Sequence, residues 1–189
     1  MSSERRRYYR VNDEASLAVE QISEAETDAR LADFWENEHA FSIRNNFNFQ
    51  IEQHIADRHK IDGKMPELGR YLVVLEKQIE RLTNRLVGDD NDHAMIQKSV
   101  NLSAQGIAYC DDQVPEQDAL VELKLKLLPS GFRLVIIARV VKIERDQGAD
   151  QGKHRVSLDF EHLHEADREI LIKHVHGKQM KSLGSSQAS

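Results

Sequence analysis

"VELKLKLLPSGFRLVIIARVVKIER", residues 121–145, is the stretch that sets the fold class. Its first seven residues alternate strictly. Val121, Leu123, Leu125 and Leu127 take one side; Glu122, Lys124 and Lys126 take the other. Successive side chains of a strand point to opposite faces, so this is a half-buried antiparallel strand with one apolar and one wet face. Residues 129–131, "PSG", read as a turn. Residues 132–145 then form a long second strand. "DQGADQGK" (146–153) is a hairpin loop, and "HRVSLDF" (154–160) is a further strand in which Val156, Leu158 and Phe160 alternate. "EADREILIKHVHGKQM" (165–180) reads as a final helix, and 182–189, "SLGSSQAS", as a disordered tail.

Upstream the period changes. "EASLAVEQI" (14–22) has rough alternation and reads as a strand. From about residue 24 apolar residues recur at helical spacing, as at Ala40, Ile43, Phe47, Ile51 and Ile55, with neither Pro nor Gly in the run. "KIDGKMPEL" breaks that run, and Pro66 suits the first turn of the next helix. Leu68, Leu72, Leu75, Ile79, Leu82 and Leu86 follow at spacings of four and three, an a/d heptad seam. A helix from Pro66 to Val87 is about 33 Å long, and Gly88 supplies its stop. Val73 and Val74 widen the apolar face. The order is therefore one strand, a helical block, several strands and a last helix. This is an α+β chain in which residues 23–90 are inserted into a small β domain made of 1–22 and 91–181.

The chain has 189 residues, 40 % hydrophobic and 31 % charged, with a net charge of −6. That composition is a folded, polar, soluble protein. No apolar run is long enough to span a bilayer, and no apolar stretch follows the basic N-terminus, which excludes a secretory signal there. A single cysteine, Cys110, makes no internal disulfide and fits a reducing cytoplasm. The acidic balance disfavours nucleic acid as a partner.

Against that balance stands "ERRRYYRVND" (4–13), with four arginines in six residues. Guanidinium groups bind phosphate oxygens and the O6/N7 edge of guanine bidentately and stack on flat rings. Between the helical block and the alternating strands lies "VNLSAQGIAY" (100–109). Asn101 and Ser103 are short polar residues two apart, expected on the same face of a strand, and Gly106 permits close approach to the backbone. An arginine arm facing a small polar patch suits a compact guanine-containing phosphodiester.

Together these residues resemble the PilZ domain family. Arg6 and Arg10 fit its RxxxR signature, and Asn101, Ser103 and Gly106 fit its (D/N)xSxxG signature, in the right order and with the strands and closing helix behind them. The resemblance implies a small antiparallel β-barrel that binds the bacterial second messenger cyclic di-GMP. The arm arginines would hold phosphates and guanine faces, with Arg5 as an additional contact, and Asn101 and Ser103 would meet the guanine. It further implies a receptor that regulates motility, surface polysaccharide, biofilm or virulence through a protein effector. The long insertion resembles that of an atypical PilZ subgroup in which a heptad helix assembles tetramers, some of whose members do not bind the nucleotide. The seam predicts a homo-oligomer, dimer or tetramer. The competing expectation is an oligomeric scaffold that works through the helical block without binding cyclic di-GMP.

Other constellations carry less. The histidines of "HLH" (162–164) and "HVH" (174–176) have no zinc-like partners, and "DDND" (89–92) lacks the glycine and glutamate of a calcium loop. Cys110 beside Asp111 and Asp112 is poorly placed to form a thiolate. No enzyme, cofactor or metal is expected.

Overall fold

A computed structural model describes residues 9–36, 45, 49–86, 95–145 and 153–186. Six antiparallel strands close into a barrel in the order β1-β2-β3-β6-β5-β4. They are β1 (Val11–Gln21), β2 (Ile96–Leu102), β3 (Gly106–Asp111), β4 (Leu120–Leu127), β5 (Arg133–Arg145) and β6 (His154–His162). The helices are α1 (Thr27–Glu36), α2 (Ile55–Lys64), α3 (Pro66–Leu86) and α4 (Glu165–Ser186).

The alternation of residues 121–127 places Val121, Leu123, Leu125 and Leu127 wholly inside the barrel. They meet Leu102, Ile107, Leu134, Ile136, Val140 and Leu158 from the other strands in one core. The turn after β4 is closed by hydrogen bonds from Leu127 to Phe132 and from Gly131 to Leu127, with Gly131 at φ 77°, a conformation glycine adopts without steric cost. β5 is long enough to pair with both β4 and β6, and two register shifts against β6 absorb its curvature.

β1 is shared unevenly. Residues 11–17 pair with β2, whereas pairing with β4 begins only at Ala15. Among the described residues, the first four residues of β1 therefore have a strand on one side only. At that end of the barrel α4 closes the core with Leu171 and Val175. The helix continues to Ser186, so residues 182–186 are helical rather than part of a disordered tail. Nothing punctuates "HGKQMKSLG" strongly enough to stop a helix already anchored at Leu171 and Val175.

Among the described residues, the insertion is held against the barrel by Phe34 with Trp35 and by Asn45. Phe34 of α1 is buried against Ile22, Leu31, Leu120, Val135 and Ile137 on the outside of β4 and β5. Its ring stacks on His164 at 4.3 Å, and His164 Nε2 donates to the Phe34 carbonyl at 3.0 Å. Trp35 meets His162 and His164 edge-on. Asn45 bonds both the N–H and the carbonyl of Arg133, at 3.1 and 2.9 Å, as a strand neighbour would. Within the described residues the helical run expected from residue 24 is interrupted by a turn at His54, and only Met65 separates α2 from α3. Ala40, Phe41, Ile43, Phe47, Gly88 and the residues 89–92 lie outside the described residues.

α2 and α3 form a helical hairpin, tied by the ion pair of Arg58 with Glu76, while Arg58 also pairs with Asp62 within α2. The seam of α3 does not face α2 or the barrel. Leu68, Leu75, Ile79 and Leu82 are exposed, as are Tyr71 and Val74 beside them. Leu72 is half-buried, and the side chain of Leu86 lies outside the described residues.

Candidate functional site

Asn101 ends the wet face of β2. Register places it opposite Asn12 of β1 on one side and Ala108 of β3 on the other, and Ala108 opposite Ser157 of β6. Four short side chains thus cross four strands in one row on the face away from the core. Asn101 Nδ2 donates to Asn12 Oδ1 at 2.8 Å. Arg10, immediately before β1, donates from Nη1 to Asn101 Oδ1 at 3.3 Å. The two halves of the motif pair, 91 positions apart in sequence, meet because β1 and β2 are antiparallel neighbours with Val11 opposite Leu102.

Gly106 opens β3 at the edge of this patch. A Cβ there would collide with the Leu158 carbonyl oxygen of β6 and stand 3.6 Å from Arg10 Nη2. Only glycine lets β3 lie this close to β6 with the guanidinium above.

Ser103 departs from the sequence expectation. β2 stops at Leu102, so Ser103 does not continue the outward row with Asn101. It is buried in the turn between β2 and β3. Its Oγ accepts the N–H groups of Gln105 (3.3 Å) and Gly106 (3.2 Å) and donates to the Gly106 carbonyl (3.2 Å). The Ser103 N–H also donates to Gly106 O at 2.9 Å, and Phe160 N–H to Gln105 O at 2.8 Å. The serine shapes the turn that presents Gly106 and Gln105. Arg5 and Arg6 lie outside the described residues.

Sequence reasoning missed Asn12 and a group directly behind it. Asp13 projects to the opposite face of β1, with its side chain 3 % exposed. His174 Nε2 of α4 lies 2.6 Å from its Oδ2, and Lys178 Nζ bonds its Oδ1. Burial pushes this carboxyl up, but the hydrogen bonds from Lys178 and His174 outweigh burial and hold it below its ordinary value. The only sequence signal was that Asp13 stands where an apolar residue should lie between Val11 and Ala15. The histidines of "HLH" and the first of "HVH" are thus occupied by aromatic stacking and by this carboxylate.

At the far end of the barrel a groove of about 670 Å³ is lined by Leu17, Ile96, Lys98, Tyr109, Asp111, Glu122 and Lys124, among others. Its lysines are matched by carboxylates, Lys98 by Asp111 and Lys124 by Glu122.

The model of the PilZ domain matches residues 81–177, just over half of the chain. The chain belongs to the PilZ domain family. Among solved structures, this PilZ chain is similar to a tetrameric PilZ domain, a pathogenic protein of Xanthomonas campestris self-assembled via a helical bundle. The identity is 17 %, the TM-score 0.53, and the match covers 94 % of this chain and 90 % of that one. It is also similar to the inhibitor of motility (MotI/DgrA) of Bacillus subtilis, with 22 % identity and a TM-score of 0.40. There the match covers 46 % of this chain and spans 43 % of that protein's length. No curated protein matches the sequence. The family match leaves out residues 1–80, Arg10 among them.

Proposed function

We propose that this PilZ chain is a cyclic di-GMP receptor whose arginine arm closes on the patch formed by Asn12, Asn101 and Gly106. The observation that carries the reading is the seat of Arg10: its guanidinium rests on Asn101 and over Gly106. Asn101 offers amide donors and an acceptor to a guanine edge. The short side chains of the row leave room for a flat base, and Arg10, with Arg5 and Arg6 beyond it, supplies cations for the phosphates. Ligand binding changes the surface shown to a protein effector. The chain acts as a receptor rather than a catalyst, in the cytoplasm, upstream of motility, biofilm or virulence control.

Calorimetric titration tests this. A charged hydrogen bond contributes about 1.5–3 kcal/mol, so Arg10→Ala is expected to weaken cyclic di-GMP binding roughly tenfold to a hundredfold. Asn101→Ala acts in the same direction, and affinity falls with added salt. Binding indifferent to both substitutions refutes the site.

The exposed seam of α3 favours a second element, homo-oligomer formation through the helical hairpin. The tetrameric Xanthomonas neighbour, assembled via a helical bundle, supports it. If the wild-type chain binds no cyclic di-GMP, that assembly becomes the function, a scaffold for protein partners.

A further inference from the structure

The first turn of β1 carries two faces with different tasks. Arg10 and Asn12 face the patch, while Asp13 faces α4. Among the described residues β4 does not pair with residues 11–14, and the C-terminal helix meets this end of β1. It does so through one carboxylate shared by His174 and Lys178. The same helix closes the core one turn earlier with Leu171 and Val175.

We infer that Asp13 is a positioning residue that couples the Arg10–Asn101 site to docking of α4. The nucleotide and the helix then support each other: a docked helix holds the start of β1 where Arg10 meets Asn101, and ligand on Arg10 strengthens the hold on the helix. This regulation rests on the receptor reading above. The chemistry is specific. The Asp13 side chain is almost wholly buried, so its charge depends on the Lys178 ammonium and the hydrogen bond with His174 from α4, and withdrawal of the helix leaves a carboxylate without them. The linkage runs between directly adjacent residues of one strand, Asn12 and Asp13, rather than through a long path. Its output is the face of α4 beyond the barrel, where Ile172, Met180 and Leu183 are exposed. Ligand thereby changes how firmly that face is held.

The test uses the full chain with Asp13→Asn and, because a core-side change could impair folding, the milder Lys178→Ala on the half-exposed helix side. Hydrogen exchange of peptides covering residues 171–183 is measured with and without cyclic di-GMP, beside calorimetric affinity. The Asn101 side-chain amide is followed by NMR without ligand. In wild type, ligand is expected to slow exchange in the helix. In both variants the helix exchanges faster, affinity drops about fivefold or more, and the Asn101 amide shifts. Ligand that binds wild type without altering helix exchange overturns the coupling, as does a loosened helix with unchanged affinity. Wild type that binds no nucleotide ends the receptor reading alone. The ligand-free arm still decides the linkage then: a loosened helix beside an unmoved Asn101 amide refutes it, and a shifted one supports it.

Discussion

Replacing Leu75 and Ile79 together by aspartate tests whether α3 is an assembly surface. Leu68, Tyr71, Val74, Leu75, Ile79 and Leu82 leave between 38 % and 61 % of their area in water. Full burial of such a side chain contributes about 1.5–3 kcal/mol, so covering the exposed half adds about 1 kcal/mol each, or roughly 6 kcal/mol per helix. Two facing helices double this to roughly 12 kcal/mol, which lies inside the range of about 4–15 kcal/mol that association costs. The balance is close, so small losses decide it. The two aspartates remove about 2 kcal/mol of burial per helix and put unpaired charges into the seam, whose desolvation costs several kcal/mol more. Both side chains already stand half in water, so the fold itself is expected to survive, with an unchanged circular dichroism spectrum. Size-exclusion chromatography with light scattering at micromolar concentration reads the outcome. Wild type is expected as a dimer or tetramer and the double variant as a single chain. A monomeric wild type, or a variant of undiminished mass, refutes the reasoning.

Three further perturbations probe the site and its support. Gly106→Ala forces a methyl group onto the Leu158 carbonyl oxygen and is expected to cost about 1–3 kcal/mol; an unchanged melting temperature would contradict the close approach of β3 to β6. Ser103→Ala leaves the amides of Gln105 and Gly106 without their hydroxyl acceptor, at about 1–3 kcal/mol in urea unfolding; equal stability would return Ser103 to a direct ligand role. Asp13 is held below its ordinary pKa in the folded chain, so the unfolded chain takes up its proton first as pH falls. Its contribution is present above about pH 4 and lost as pH drops through the lower folded value. Asp13→Asn should therefore flatten the acid limb of a stability–pH curve, and an identical slope in the two proteins would show that the carboxylate is not what the acid titrates.

Much of the barrel was legible because alternation is a local record of sidedness. Val121 to Leu127, Val156 and Leu158 announce which face meets the core before any partner is known. The heptad of α3 was legible for the same reason, and its outward exposure follows from having no apolar partner surface within the described chain. Arg10, Asn101 and Gly106 were readable as a motif, since their chemistry is specific and their order fixed. Ser103 was misplaced because a two-residue period holds only while the strand lasts, and the point where β2 turns is set by the serine's own hydrogen bonds to Gln105 and Gly106.

The sequence by itself determined the class of fold, the inserted helical block and the residues that suit a guanine-containing anion. Only the tertiary structure decided that Arg10 lies on Asn101, that Asn12 joins them, and that Asp13 ties the start of β1 to the C-terminal helix. Those facts depend on strand register and on contacts across 89 to 165 positions. Local periodicity carries no information about either, because the closing of the barrel, not the neighbouring residues, chooses which strands meet.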